Sequence, residues 1–155
     1  ERRVPTDGDN PAWAWYPILD HPVWERQSMS TKGTIVVIDD SEIVLEQIRA
    51  ELEPLGFAVK TTTQTVGTAR LLVGADLVIL DMHMPGLHGG QVLENLRAAV
   101  EGMATPPLFY LYTSDPSEEA RYREYGFDGA FTQKGNIGSL TRQLGAAMRL
   151  LKLKR

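Results

Sequence analysis

Asp76-Leu77-Val78-Ile79-Leu80-Asp81 is the most apolar run of the chain, and Met82-His83-Met84-Pro85-Gly86-Leu87-His88-Gly89 follows it. A short continuous apolar run bounded by turn residues reads as a buried strand, and Pro85, Gly86 and Gly89 mark the boundary. A carboxylate directly after such a run is badly suited to a core. Asp81 therefore stands at the carboxyl end of a buried strand, where open α/β sheets carry their sites. The plainer alternative is that Asp81 only caps a turn or the next helix, both common uses of aspartate.

Strand and helix signals alternate on either side of this run. Thr34-Ile35-Val36-Val37-Ile38 is a β-branched strand ended by Asp39-Asp40-Ser41, and Asp40 or Ser41 can cap the helix that follows. Ile43, Val44, Ile48, Leu52 and Leu55 recur at helical spacing, and Pro54 and Gly56 stop that helix. Phe57-Ala58-Val59-Lys60-Thr61 is a weaker second strand. Residues 65–73 read as a short helix with Val66, Ala69 and Leu72 inward. Residues 90–100 form a helix carrying Val92, Leu93, Leu96 and Val100. Pro107-Leu108-Phe109-Tyr110-Leu111-Tyr112 is the fourth strand, closed by Thr113-Ser114-Asp115-Pro116, and 117–125 is a polar helix. Asp128-Gly129-Ala130-Phe131-Thr132 is the fifth strand. A last helix, 137 to about 152, has Leu140, Leu144, Ala147, Met148 and Leu151 as its apolar stripe.

Five strands, each followed by a helix, predict an α/β fold: a flavodoxin-like, doubly wound five-stranded parallel sheet of order 2-1-3-4-5 with five helices. After the first strand the chain carries Asp39-Asp40 in place of a glycine-rich loop. Two carboxylates repel a nucleotide phosphate, so a dinucleotide site or P-loop is not expected.

In this topology one sheet edge gathers Asp39 and Asp40, Asp81, Thr113 and, just beyond the fifth strand, Lys134. Three carboxylates in one crevice call for a cation. Mg²⁺ suits them, because it takes oxygen ligands and is commonly shared between carboxylates and phosphate oxygens. A hydroxyl and an ammonium facing the same point suit a phosphoryl group. Together these residues describe an aspartyl-phosphate site. Each has a simpler reading: Asp39, Asp40 and Thr113 as helix caps, Lys134 as a solvated lysine. Their coincidence at four strand ends favours the joint reading. His83 and His88 flank the Asp81 loop without a helical spacing, a weak pattern for a transition metal.

Composition sets the outer limits. The chain has 155 residues, 43% of them apolar and 23% charged, and one domain is the usual expectation at that length. It has no cysteine, which excludes disulfides, thiolate metal sites and cysteine nucleophiles. A net charge of −4 argues against nucleic acid as a partner. No apolar run reaches membrane-spanning length and no secretory pattern opens the sequence, so a cytoplasmic location without membrane insertion is expected.

Residues 1–32 differ from the rest. Trp13, Trp15 and Trp24 lie here with Pro5, Pro11, Pro17 and Pro22. Exposed aromatics in a proline-punctuated peptide suit docking, and Trp13, Trp15, Ile18 and Leu19 are the candidate anchors. An inert tail is the alternative. Met29 before the first strand adds a third, that residues 1–28 are a partner peptide fused ahead of a small protein.

Residues 33–152 resemble the receiver domain of two-component response regulators, and 33–155 is taken as that domain. The resemblance rests on Asp39 and Asp40, on Asp81 followed by Met84-Pro85 and Gly89, on Thr113-Ser114, and on Lys134. It implies that Asp81 accepts a phosphoryl group from a phosphohistidine on a sensor histidine kinase or phosphotransfer protein. Mg²⁺ would be held by the Asp40 and Asp81 carboxylates and the His83 backbone carbonyl, with Asp39 reaching it through water. Thr113 and Lys134 would bind phosphoryl oxygens. Thr113 would then move inward and Phe131 turn inward behind it, altering the face of the fourth helix, fifth strand and fifth helix, which contacts a downstream protein or a second copy in a dimer. Such a protein is a switch rather than an enzyme, catalysing only its own phosphoryl transfer and autodephosphorylation. No further domain follows Arg155, so a single-domain, chemotaxis-regulator-like receiver is expected unless the sequence was cut from a longer one. Three positions depart from the family's habit. Gly135 follows Lys134 where proline is usual, Phe131 lacks the hydroxyl of a tyrosine, and His83 stands where a smaller residue is common. These departures motivate the alternative of a pseudo-receiver acting as a phosphorylation-independent protein-binding module.

Overall fold

Strand β1, Gly33–Ile38, lies between β2, Phe57–Thr62, and β3, Leu77–Leu80; β4, Leu108–Tyr112, and β5, Gly129–Phe131, complete the sheet. All pairings are parallel and the order is 2-1-3-4-5, as the alternating signals predict. The computed structural model describes residues 32–64, 68–81, 83–84 and 87–154. The N-terminal extension with Trp13, Trp15, Ile18 and Leu19 lies outside the described residues.

The side-chain alternation of each strand sorts the core into two layers. Ile35, Val37, Leu77, Ile79 and Tyr112 face helices α1, Glu42–Leu52, and α4, Ile137–Lys154. Val36, Ile38, Val78, Leu80, Phe109 and Leu111 face α2, Gly89–Val100, together with Leu72 and Phe127. Helices on both faces explain why all four residues of β3 are buried. Asp76 fixes the register of β3 against β1 at the amino edge: its Oδ2 accepts from Thr34 N at 2.8 Å and its own N–H donates to Thr34 O at 2.9 Å. Asp128 does the same for β5, accepting from Phe109 N at 2.8 Å.

The helices depart from expectation in three places. Among the described residues there are four α-helices, not five. The segment expected as a second helix is a 3₁₀ turn, Thr68–Leu72, with Leu72 buried but Ala69 exposed; Val66 is outside the described residues. Thr65, Val66, Gly67 and Thr68 are poor helix formers, and Gly74 at φ 76° ends the turn at once. The polar helix expected over 117–125 is shorter: α3 spans Pro116–Ala120, and Arg121 at φ −103°, ψ 17° leaves the helical region. Only Tyr122 and Tyr125 of this segment's later residues pack against the core before Phe127, which leaves little to hold further turns. In α1 the buried residues are Leu45, Ile48 and Leu52, whereas Ile43 is 71% and Leu55 39% exposed. At 100° per residue Ile43 points about 200° away from Leu45, so it cannot share that stripe. The stripe of the last helix, Leu140, Leu144, Ala147, Met148 and Leu151, is buried as expected. No helix among the described residues is long and apolar enough to cross a membrane.

Gly129 opens β5 directly beside Tyr110, its register partner in β4. A Cβ there would come within 2.6 Å of the Tyr110 ring, which stacks on Phe131 at a centroid distance of 4.6 Å. Gly129→Ala is expected to push the ring off Phe131 and lower stability by about 1–3 kcal/mol. Urea denaturation measures the loss, and near-UV circular dichroism should lose part of its aromatic signal.

Candidate phosphoryl-acceptor site

Parallel pairing puts the acidic residues side by side. Ile38 is the register partner of Leu80, so Asp39 and Asp81 follow at the same height on adjacent strands. Asp81 N–H donates to Ile38 O at 3.0 Å and Asp39 N–H to Thr62 O at 3.2 Å, which carries the ladder one residue past each strand. Asp39 Oδ1 accepts from Ser41 N at 2.9 Å and Ser41 Oγ accepts from Val44 N at 3.3 Å. The N-cap of α1 is thus Ser41, and Asp39 braces it.

Carboxylate oxygens of Asp39, Asp40 and Asp81 lie within 4.8 Å of one another. Asp39 and Asp81 are 2% and 7% exposed, so solvent screens their repulsion poorly, while Asp40 is exposed. Lys134 crosses from the loop after β5 to meet both buried acids, with Nζ 2.8 Å from Asp39 Oδ2 and 3.3 Å from Asp81 Oδ1. Burial pulls the Lys134 ammonium down. The hydrogen bond to Asp39 and the Asp39 and Asp81 charges outweigh that, and hold it above the ordinary lysine range. One ammonium against three carboxylates leaves the crevice negative. Oxygen-only donors at this spacing fit a hard divalent cation such as Mg²⁺.

The loop that delivers Lys134 uses two left-handed residues, Gln133 at φ 60° and Gly135 at φ 97°. Proline is confined near −65° and lacks an N–H, so it fits neither the dihedral nor the contact made here. Gly135 N–H donates to the Tyr112 hydroxyl at 3.2 Å, and Lys134 Nζ stands 5.4 Å from the Tyr112 ring centre. Gly135 in place of the usual proline therefore comes with its own anchor, a buried tyrosine at the end of β4. Burial raises the Tyr112 hydroxyl above its ordinary range, although the Gly135 bond and the Lys134 charge oppose it.

Thr113 follows Tyr112 on the same edge and is 2% exposed. Its Oγ1 donates to Glu118 Oε1 at 2.9 Å and accepts from Asp115 N at 3.1 Å. Glu118 is 7% exposed although it lies in the short, polar α3. Ser117 is exposed and Glu119 half-buried, and nothing in the spacing of Ser117-Glu118-Glu119 singles out Glu118 for burial. Tyr112 likewise reads from the sequence only as a strand residue. Phe131 is buried at 1% exposure, its ring 4.6 Å from that of Tyr110. His83 and His88 are register partners in a two-residue antiparallel ribbon, His83–Met84 with Leu87–His88. The acidic cluster of Asp39, Asp40 and Asp81 is the only group of potential metal ligands among the described residues.

Residues 35–144 match the family model of the response regulator receiver domain. The chain belongs to that family, whose members are signalling modules. It is similar to the transcriptional regulatory protein KdpE of Mycobacterium tuberculosis, 30% identical over 118 residues, which covers 74% of this chain and 50% of the relative. The chain spans about half the length of the first curated relatives it matches. Among solved structures, a response regulator receiver domain from Clostridium thermocellum aligns with TM-score 0.65 and 23% identity, covering 79% of this chain and 99% of that one. The response regulator protein TrrA from Thermotoga maritima, in complex with Mg²⁺-BeF, aligns with TM-score 0.60 and 23% identity over 74% and 97% of the two chains. At these identities the structural likeness speaks for the fold alone.

Proposed function

We propose that residues 33–155 are a phospho-accepting receiver of a two-component system or phosphorelay, with Asp81 as acceptor. The observation that carries this reading is Lys134 bridging Asp39 and Asp81 at 2.8 and 3.3 Å beside exposed Asp40. An Asp81 carboxylate oxygen forms the new P–O bond as the P–N bond to a phosphohistidine on a sensor kinase or phosphotransfer protein breaks; the histidine leaves with the electron pair of that bond. Lys134 neutralises charge on the phosphoryl oxygens and the Thr113 hydroxyl donates to one of them. Asp39, Asp40, Asp81 and the His83 backbone carbonyl would hold Mg²⁺, which supplies positive charge to the transferring group when bound. TrrA, similar in fold, is recorded with Mg²⁺-BeF, and this supports the choice of ion. The output is a protein contact on the face of α3, β5 and α4, made in the cytoplasm, and residues 1–32 are a separate docking extension.

Incubation with acetyl phosphate and Mg²⁺ is expected to add one phosphoryl mass, mapped by borohydride trapping and peptide mass spectrometry to Asp81. An unmodified Asp81 at full Mg²⁺ occupancy would sink this reading. One observation favours a second one, a pseudo-receiver binding its partner without phosphorylation: Phe131 is buried with the Asp81 site unmodified. Its signature is a melting temperature that millimolar Mg²⁺ leaves unmoved.

A further inference from the structure

Glu118 is a buried carboxylate that the phosphoryl chemistry does not use. It lies five residues after Thr113, on the first turn of α3, and Thr113 Oγ1 donates to it at 2.9 Å. A hydroxyl has one proton to donate. The Thr113 oxygen also accepts from Asp115 N at 3.1 Å, so both its donor and an acceptor site are engaged locally. Thr113, Glu118 and Asp39 are buried together with Asp81, which keeps bulk water from substituting freely for either partner. A hydrogen bond to a charged acceptor is about twice as strong as a neutral one.

From this geometry we infer that Glu118 is a positioning residue that competes with a phosphoryl group on Asp81 for the single Thr113 proton. This rests on the reading of Asp81 as acceptor. Glu118 sets the resting orientation of the hydroxyl. Binding an anion at Asp81 requires Thr113 to break the bond to Glu118 and donate to the new oxygen. Releasing Thr113 also frees the start of α3 from the end of β4, because Thr113, Asp115 and Glu118 form one hydrogen-bonded unit between them. Occupancy at Asp81 is thereby coupled to α3 through Glu118.

The test is a beryllofluoride titration with saturating Mg²⁺, followed by fluorine NMR, on the wild type, Glu118→Gln, Thr113→Ala and the double variant. Glutamine keeps the shape and an acceptor oxygen but removes the charge. Glu118→Gln is expected to tighten beryllofluoride by about threefold to tenfold, since the competing bond is weakened by roughly half. In the Thr113→Ala background the same change should have no effect. An equal or weaker affinity in Glu118→Gln, with the wild type binding normally, overturns the competition while leaving the Asp81 reading intact. No adduct in any of the four proteins overturns both. A crystal structure of the wild-type adduct needs no variant: a Thr113–Glu118 bond still intact there rejects the inference, and a broken one supports it.

Discussion

Lys134→Ala is expected to lower the stability of the Mg²⁺-free protein by about 3–5 kcal/mol, the usual cost of removing one partner from a buried ion pair. The Asp39 and Asp81 side chains are only 3% and 9% exposed and each contacts the same ammonium. Without it, two buried carboxylates and exposed Asp40 face each other within 4.8 Å and lose the ammonium that bridges the buried pair. Urea denaturation at low ionic strength measures the loss. Added Mg²⁺ should recover more stability in the variant than in the wild type, because it then meets a crevice that has lost the Lys134 charge. The pH dependence has a definite sign. The folded-state Lys134 is raised above its ordinary value, so its contribution is fully present below about pH 10.4 and is lost as pH rises through the higher folded value. Tyr110 and Tyr112 are also raised, chiefly by burial, and add an alkaline loss of their own. The wild type should therefore lose more stability than Lys134→Ala between about pH 10 and 12. Equal alkaline slopes in the two proteins would contradict the ion pair's role.

Asp81→Asn is expected to abolish acceptance of a phosphoryl group and, at the same time, to stabilise the Mg²⁺-free fold by roughly 1–2 kcal/mol. Neutralising Asp81 removes its repulsions with Asp39 and Asp40 and weakens its attraction to Lys134 at 3.3 Å. Lys134 keeps its shorter contact to Asp39 at 2.8 Å, so the ammonium is not stranded. Function and stability then move in opposite directions, which a merely structural aspartate would not produce. Intact-mass measurement after acetyl phosphate treatment reads the first effect and a thermal melt without Mg²⁺ reads the second. A destabilised variant would mean that Asp81 is held by contacts worth more than the repulsion it suffers.

The sheet was legible in the sequence because three of its five strands, β1, β3 and β4, are followed by a residue type that contradicts the run before it. Asp39, Asp81 and Thr113 follow apolar runs, and parallel pairing turns that repeated contradiction into one edge. The reach of Lys134 was legible only as a position. Its contacts depend on Gln133 and Gly135 at positive φ, which no periodicity announces. Glu118 was not legible at all, since burial of one glutamate among Ser117, Glu118 and Glu119 is set by where a five-residue helix starts and stops. The expected second helix failed for a local reason that could have been weighed: β-branched residues and a glycine in its first turn. Ile43 failed because counting apolar residues at helical spacing does not fix which side of the helix meets the sheet.

The clasp between Thr34 and Asp76 lies at the opposite end of the sheet from Lys134 and touches none of the acidic residues. Its effect is nevertheless felt there, because a strand transmits position along its length as a rigid ruler does. Slipping β3 by one residue against β1 would carry Asp81 about 3.3 Å along the strand and turn its side chain to the other face. Such a displacement exceeds the whole length of the Lys134–Asp39 contact. The spacing of the acidic crevice is therefore calibrated from the far edge of the sheet, by a carboxylate whose own chemistry is only that of a fixed stop.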